Sequence, residues 1–376
     1  MSDTLIWYLL LPLILGGVVW WVAGHTMDAL KAVGIYAATA MAVAAVGFAA
    51  SYGGAVVDKE VWNGQVVAKH VATDDYKKPY DCNCRSVESC SGSGSDRRCS
   101  SSRVCDTCYE DRYTKKWWCD TTVGSFTILS LDESSKSVWN TPDPQRWTII
   151  KPGDPAAKTS MYTNYVQAVP GSLFRPSSES LKQRFANLIP SYPDQIYDFY
   201  RINRFLTPGY NVAEAPQWNE AISQILKIRG PQKQVNAIVV IAKTDDQNYV
   251  HALRDAWEGA NKNDVVLVIG SAQWPKIDFV DVISWTKSEM FKIQLRDEVY
   301  ALGTVSQQPV INALANNIDR TYVRRQMAEF EYLQGEIDPP AWLLIMMAIM
   351  NFAFAGMLIA HYRGVNLIFW KRKSRW

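Results

Sequence analysis

Histidine is scarce in this chain, and none of the familiar catalytic signatures accompanies it. The four histidines, His25, His70, His251 and His361, are scattered over 376 residues. None belongs to a His-Glu-x-x-His pair, and neither a Gly-x-Ser-x-Gly elbow nor a Walker phosphate loop occurs, so no standard hydrolase or nucleotide-binding set is available. A basic stripe interleaved with aromatics is also missing and the net charge is only +2, which sets nucleic-acid binding aside. No internal repeat occurs, and the low-complexity sequence is confined to SCSGSGSDRRCSSS, which reads as a flexible loop.

Charge is absent from long stretches. Residues 5–23 and 32–50 contain none, and Ala341–Tyr362 is interrupted only by Asn351 and His361. Each run is about long enough to cross a bilayer, so the sequence predicts three transmembrane helices around a polar middle. The first is not read as a cleaved signal, because MSDTL has no basic residue ahead of the apolar run. Small residues in the second span, such as Ala38, Ala42 and Gly47, suit close helix packing, and Asn351 is expected to find a partner on another helix. Nearly charge-free spans make a poor ion path, so a transporter or channel is disfavoured.

The C-terminal end carries Arg363, Lys371, Arg372, Lys373 and Arg375, and Lys and Arg favour the cytoplasmic side. Counting back through three spans puts the tail and the loop around Lys31 inside, and the middle region and N-terminus outside. An oxidising exterior agrees with the cysteine content.

The expected organisation is two membrane helices over 1–54, a β-rich cysteine-containing module over 55–165, a connecting segment over 166–215, an α/β domain over 216–336, and a last membrane helix with a basic cytoplasmic tail over 337–376. The β-rich reading rests on runs such as VWNGQVVAKHV and WWCDTTVGSFTILSL between turn residues. YPDQIYDFYRINRFLTPGYN, rich in aromatics and Arg, is expected to pack between the two halves. From Ala215 short apolar strands, NAIVVIA and DVVLVIGSA, alternate with helical patterns, which implies an α/β sandwich.

Six of the seven cysteines lie within residues 81–110. Cys82-x-Cys84 and Cys105-x-x-Cys108 supply four soft ligands for a structural zinc ion, the favoured reading, with Cys90 and Cys99 closing the loop between them as a disulfide. His70 is a possible substitute ligand. The alternative is disulfides throughout, with cross-links between the two close pairs, because a bond inside Cys82-x-Cys84 would be strained. A redox role lacks the strand-to-helix setting that lowers a thiol pKa. Cys119, beside Trp117 and Trp118, is left over and expected to be buried.

The order of elements over residues 216–332, NEAISQILKIRGPQKQVNAIVVIAK followed by YVHALRDAWEGANKNDVVLVIG and a closing helix ending YVRRQMAEFEYL, resembles the TPM domain. That family is named for a thylakoid lumen protein, a photosystem II protein and an acetylcholine-receptor modulator. The resemblance implies an extracytoplasmic domain beside a membrane helix, with roles in assembly, repair or modulation of membrane complexes. It also implies, for some members, phosphatase activity. Here Asn263-Asp264 stands where the family commonly has an Asn-Gly turn, which weakens the transfer of a metal or phosphate site from that loop. The whole arrangement also resembles uncharacterised membrane proteins of tailed bacteriophages.

Together these readings predict a membrane-anchored α+β protein, placed in a bacterial inner membrane. Its partners are expected to be the lipid bilayer and membrane or envelope proteins, for which it would act as an assembly or modulator factor. The alternative is a metal-dependent, phosphatase-like hydrolase using the carboxylates Asp245, Asp246 and Asp264, with Asp278 and Asp281 on the third strand also on offer. Against it, TDDQN also reads as a helix cap with an acidic first turn.

Overall fold

The computed structural model describes residues 3–91, 98–128, 143–169, 179–197, 199–337 and 340–364. Helices α1 (Asp3–Val22) and α2 (Met27–Val56) open the chain, and Thr26 caps α2 by accepting from Ala29 N at 3.3 Å. Two very long strands follow, β1 (Val57–Ser91) and β2 (Arg98–Thr121), then β3 (Phe126–Ile128), α3 (Gln145–Ile149), β4 (Pro155–Thr163), α4 (Tyr165–Ala168) and α5 (Glu179–Arg184). The last part comprises β5 (Phe205–Leu206), α6 (Ala215–Lys233), β6 (Asn236–Ala242), α7 (Asn248–Ala256), β7 (Asp264–Gly270), β8 (Phe279–Ser284), α8 (Glu289–Tyr300) and α9 (Gln307–Thr321). A 3-10 helix (Met327–Glu336) then leads to α10 (Ala341–Tyr362).

Among the described residues two helices, not three, are long and apolar enough to cross a membrane: α2 and the run ending in α10. Only 17% and 22% of their apolar windows are buried, whereas a core helix would be covered on most sides. Ile35, Val46, Ile349 and Phe352 all point outward, an apolar exposure suited to lipid. Over the expected first span, the described residues hold a shorter apolar helix, Leu10–Val22, which is not one of the two. α1 instead lies against α2 and α10. Across the two spans Tyr36 OH donates to Asn351 Oδ1 at 2.9 Å, so the mid-membrane amide has its partner.

The first sheet is antiparallel, in the order β3-β2-β1-β4. β1 pairs with β4 over Val57–Gln65, then shifts register between Val66 and Ala68 and continues against β2. A bulge bends and twists a strand, and the sheet curls as a half-barrel. Val66, Trp117, Cys119, Ile128, Ile150 and Phe199 fill its small core.

The second sheet, β5-β6-β7-β8, is parallel except for β8. β6 and β7 are buried at every position, as expected of β-branched strands covered on both faces. Alternate residues feed two cores. Ala237, Val239 and Ile241 meet α6, α8 and α9, and Ile238 and Val240 meet α7. The closing helix is shorter than its pattern suggests. It stops at Thr321, where Lys287 N donates to Val323 O at 2.9 Å and Thr286 Oγ1 does the same at 2.9 Å. Tertiary bonds there replace the helical ones.

Candidate functional site

Beyond Ala72 and Lys116, β1 and β2 leave the body as a two-stranded arm that neither β3 nor β4 accompanies. From Ala72 to Ser91 it extends on the order of 60 Å at about 3.3 Å per residue. Its described side chains are exposed or half-exposed throughout. An isolated two-stranded ribbon is marginal in water, and this one buries no core of its own. Three disulfides supply the missing constraint: Cys82–Cys108, Cys84–Cys105 and Cys90–Cys99.

The four cysteines expected to hold zinc are thus brought together, but as two cross-strand disulfides. A disulfide sulfur is not the thiolate that zinc requires, so a zinc site would need the reduced chain. The register explains the pairing. Cys82 faces Asp106, one diagonal step from Cys108, and Cys84 sits in the irregularity between Cys82 and Arg85, beside Cys105. Cys90 directly faces Cys99. His70 is not near them. It lies twelve residues before Cys82, about 40 Å along the strand, pairs with Asp120 at 2.8 Å and stacks on Trp118. Cys119 is buried and free.

The carboxylates proposed for hydrolysis do not converge. Asp245 and Asp246 follow the carboxyl end of β6, whereas Asp264 begins the parallel strand β7. Seven residues of strand put them about 20 Å apart, too far to share an ion. Asp246 Oδ1 accepts from Asn248 N at 3.0 Å at the start of α7, and the same carboxylate pairs with Arg184. Asp278 is tied to Lys276 at 2.8 Å and to Ala272 N at 2.7 Å. Among the described residues no three His, Cys, Asp or Glu side chains form a group that could hold a metal.

The loops after β5 and β6 diverge to opposite faces, α6 on one and α7 on the other, which in open α/β sheets makes a ligand crevice. Here the turn Thr207–Tyr210 fills it. Lys243 N donates to Pro208 O at 3.1 Å, Tyr210 OH donates to Ser271 O at 2.7 Å, and a Cβ added at Gly209 would meet Lys243 Cβ at 2.7 Å.

At the opposite end of the sheet a buried polar network joins the half-barrel to the α/β layer. Asn236 Oδ1 accepts from Arg204 Nε at 3.3 Å and Asn63 Nδ2 at 3.2 Å, while Asn236 Nδ2 donates to Asp264 Oδ1 at 2.9 Å. Arg204 also reaches Asn63 Oδ1 at 2.5 Å and Ser223 Oγ at 3.0 Å. Burial pushes the Arg204 guanidinium down to about 10, so it stays charged at neutral pH. Burial pushes Asp264 up to about 6, against the opposing bonds from Tyr192 OH (2.6 Å), Asn236 and Asn261 N. A second link pairs buried Glu60 of β1 with Arg324. Arg204 lies in the aromatic and Arg-rich stretch expected between the halves; Asn63 and Asn236 carried no signal, since a buried amide looks like any turn residue in sequence.

Next to Tyr192 lies a cavity of about 190 Å³, where α2 hands over to β1. Asp58, Asn164, Glu258 and Asn261 line it, with Trp257 and Trp285 as apolar walls. Asp58 Oδ2 accepts from Tyr162 OH and Asn164 Nδ2, both at 2.8 Å. The rim at Glu258, Gly259 and Ala260 has positive φ at three consecutive residues, 51°, 87° and 61°. Such a run is costly for residues with a Cβ and collects at binding sites. Trp285 Nε1 holds it by donating to Gly259 O at 2.9 Å. Comparison of the chain with protein-family models, with curated proteins and with solved structures gives no match, so neither the TPM nor the phage resemblance gains support from relatives.

Proposed function

We propose that this chain is a membrane-anchored binding protein that presents the disulfide-stapled arm to a membrane or envelope protein, as an assembly or modulator factor. The arm carries the reading. A ribbon whose described side chains bury nothing, yet which has three cross-links within thirty residues, is held rigid for something outside the chain. Exposed Tyr80, Val87, Val104 and Tyr109 along it offer apolar anchors among charged neighbours. With α2 and α10 as the crossings, everything between them lies on one side and the C-terminus on the other, with α1 packed against both crossings. Disulfides suit an oxidising exterior for the arm. Arg363 after α10 suits a cytoplasmic C-terminus; the basic residues expected beyond it lie outside the described residues.

The test replaces residues 73–115 by an Asn-Gly turn in the full-length chain. Cross-linking in intact membranes should then lose the adducts that the parent chain forms, with the thermal unfolding of the body retained. An unchanged adduct pattern would rule the arm out as the binding element.

A further inference from the structure

We infer that a second copy of this chain pairs with the arm, edge to edge, through β2. Among the described residues neither edge of the ribbon carries a further strand beyond Ala72 and Lys116, so each shows a row of backbone N–H and C=O groups. Such an edge is a template for another strand unless it is blunted.

The two edges differ. β1 is blunted twice: Pro79 has no N–H, and Asn83, at φ 47°, sits in the irregularity between Cys82 and Arg85. β2 has no Pro from Arg98 to Lys116 and, among the described residues, no positive φ there. The register shows which of its groups face outward. Cys90 directly faces Cys99 with their Cα atoms 4.0 Å apart, the close spacing of a pair that does not bond across the ribbon. Tyr109 faces Pro79, which cannot donate, in keeping with a pair of the same kind. Both place the odd-numbered residues of β2 with their backbone groups turned away from β1, the central ones being Arg103, Cys105, Thr107, Tyr109 and Asp111.

The charges along β2 favour a second copy and choose its register. In a two-fold antiparallel pair one residue faces its own counterpart, and the residues on either side face each other in turn. With Thr107 at the centre, Arg103 faces the copy's Asp111 and Asp111 faces the copy's Arg103, so opposite charges meet twice. Both side chains are exposed, and the contact of Asp111 with Lys77, at 3.9 Å, is loose. The other centres from Cys105 to Asp111 are worse. Asp106, Glu110 or Asp111 would face its own charge, Cys108 sets Asp106 against Glu110, Tyr109 sets Arg103 against Lys115, and Cys105 sets Arg103 against Thr107 and gains no ion pair. The five facing pairs centred on Thr107 exchange about ten backbone hydrogen bonds, as many as an ordinary protein interface carries. Both faces of the ribbon stay free, so the pairing does not rest on the partner proposed above.

The experiment is sedimentation of the full-length chain in detergent from about 1 to 100 μM, where a reversible dimer is expected. Arg103→Asp and Asp111→Arg each set like charges opposite one another and should raise the dissociation constant roughly tenfold or more, and combining them should restore it. Thr107→Pro, which removes an outward N–H as Pro79 does, should abolish the dimer, while Thr107→Val should not. Thiol labelling before and after reduction shows that each variant still forms the three disulfides and keeps the arm. A chain that stays monomeric up to about 100 μM would overturn the proposal and leave the open edge to a strand of another protein. A dimer unchanged in both charge variants, a combined variant no tighter than the single ones, or a dimer that survives replacement of residues 73–115 by an Asn-Gly turn would overturn it as well.

Discussion

Asp264 begins β7 with no exposure to solvent, and among the described residues its carboxylate has no cation in contact; Asn236 stands between it and Arg204. Burial raises it from an ordinary 3.8 to about 6. A raised acid binds its proton more tightly in the folded state. The stabilisation is therefore fully present below pH 3.8, is lost as pH rises towards 6, and is flat above that. At 1.36 kcal/mol per pKa unit the loss is on the order of 3 kcal/mol. The assay is thermal unfolding of wild type and Asp264→Asn in the same detergent at a series of pH values. Subtracting the two profiles removes the contribution of every other titrating group. Wild type should fall relative to the variant by several degrees between pH 4 and 6, then run parallel to it. Parallel profiles throughout would show that Asp264 titrates as an ordinary carboxyl. A relative gain with rising pH would show it to be depressed, and either result would refute the account of the buried network.

Three further outcomes follow from particular contacts. Maleimide labelling of the unfolded, unreduced chain should modify one thiol, Cys119, and all seven after reduction; five labels after chelation without reduction would instead indicate four zinc-bound thiolates and one disulfide. Gly230→Ala would put a methyl within 2.6 Å of Asn63 Cβ and closer still to its carbonyl, so it should cost about 1–3 kcal/mol in unfolding, whereas at an exposed control, Gly335, the added methyl touches nothing. Tyr36→Phe removes the bond to Asn351 and should weaken the α2–α10 contact by roughly 0.6–1.7 kcal/mol in a detergent unfolding titration.

Several features were legible because they are local. The charge-free runs of α2 and α10, the alternation around NAIVVIA and DVVLVIG and the closure of Cys90 with Cys99 each depend on neighbours in sequence. The expected acidic cap of α7 is not formed, since Gln247 is the N-cap without a side-chain bond and Asp246 accepts from Asn248 N just ahead of the helix. The sequence also confined the remaining disulfides to cross-links between two close pairs. It could not choose the partners, because that depends on the register of β1 against β2, which a single bulge between Cys82 and Arg85 shifts.

Other features were decided by the folded chain. Asp264 belongs to a motif that suggested chemistry, yet it lies buried at the far end of the sheet from Asp246, and only strand direction shows that. Asn63 and Arg204 are 141 residues apart and act together. α1 is apolar enough for lipid, and only the fold shows that it lies against α2 and α10. Sequence by itself determined which segments leave water and which cysteines can meet. The tertiary structure decided which polar groups share one buried network and where a cavity remains, because both depend on contacts between residues far apart in the chain.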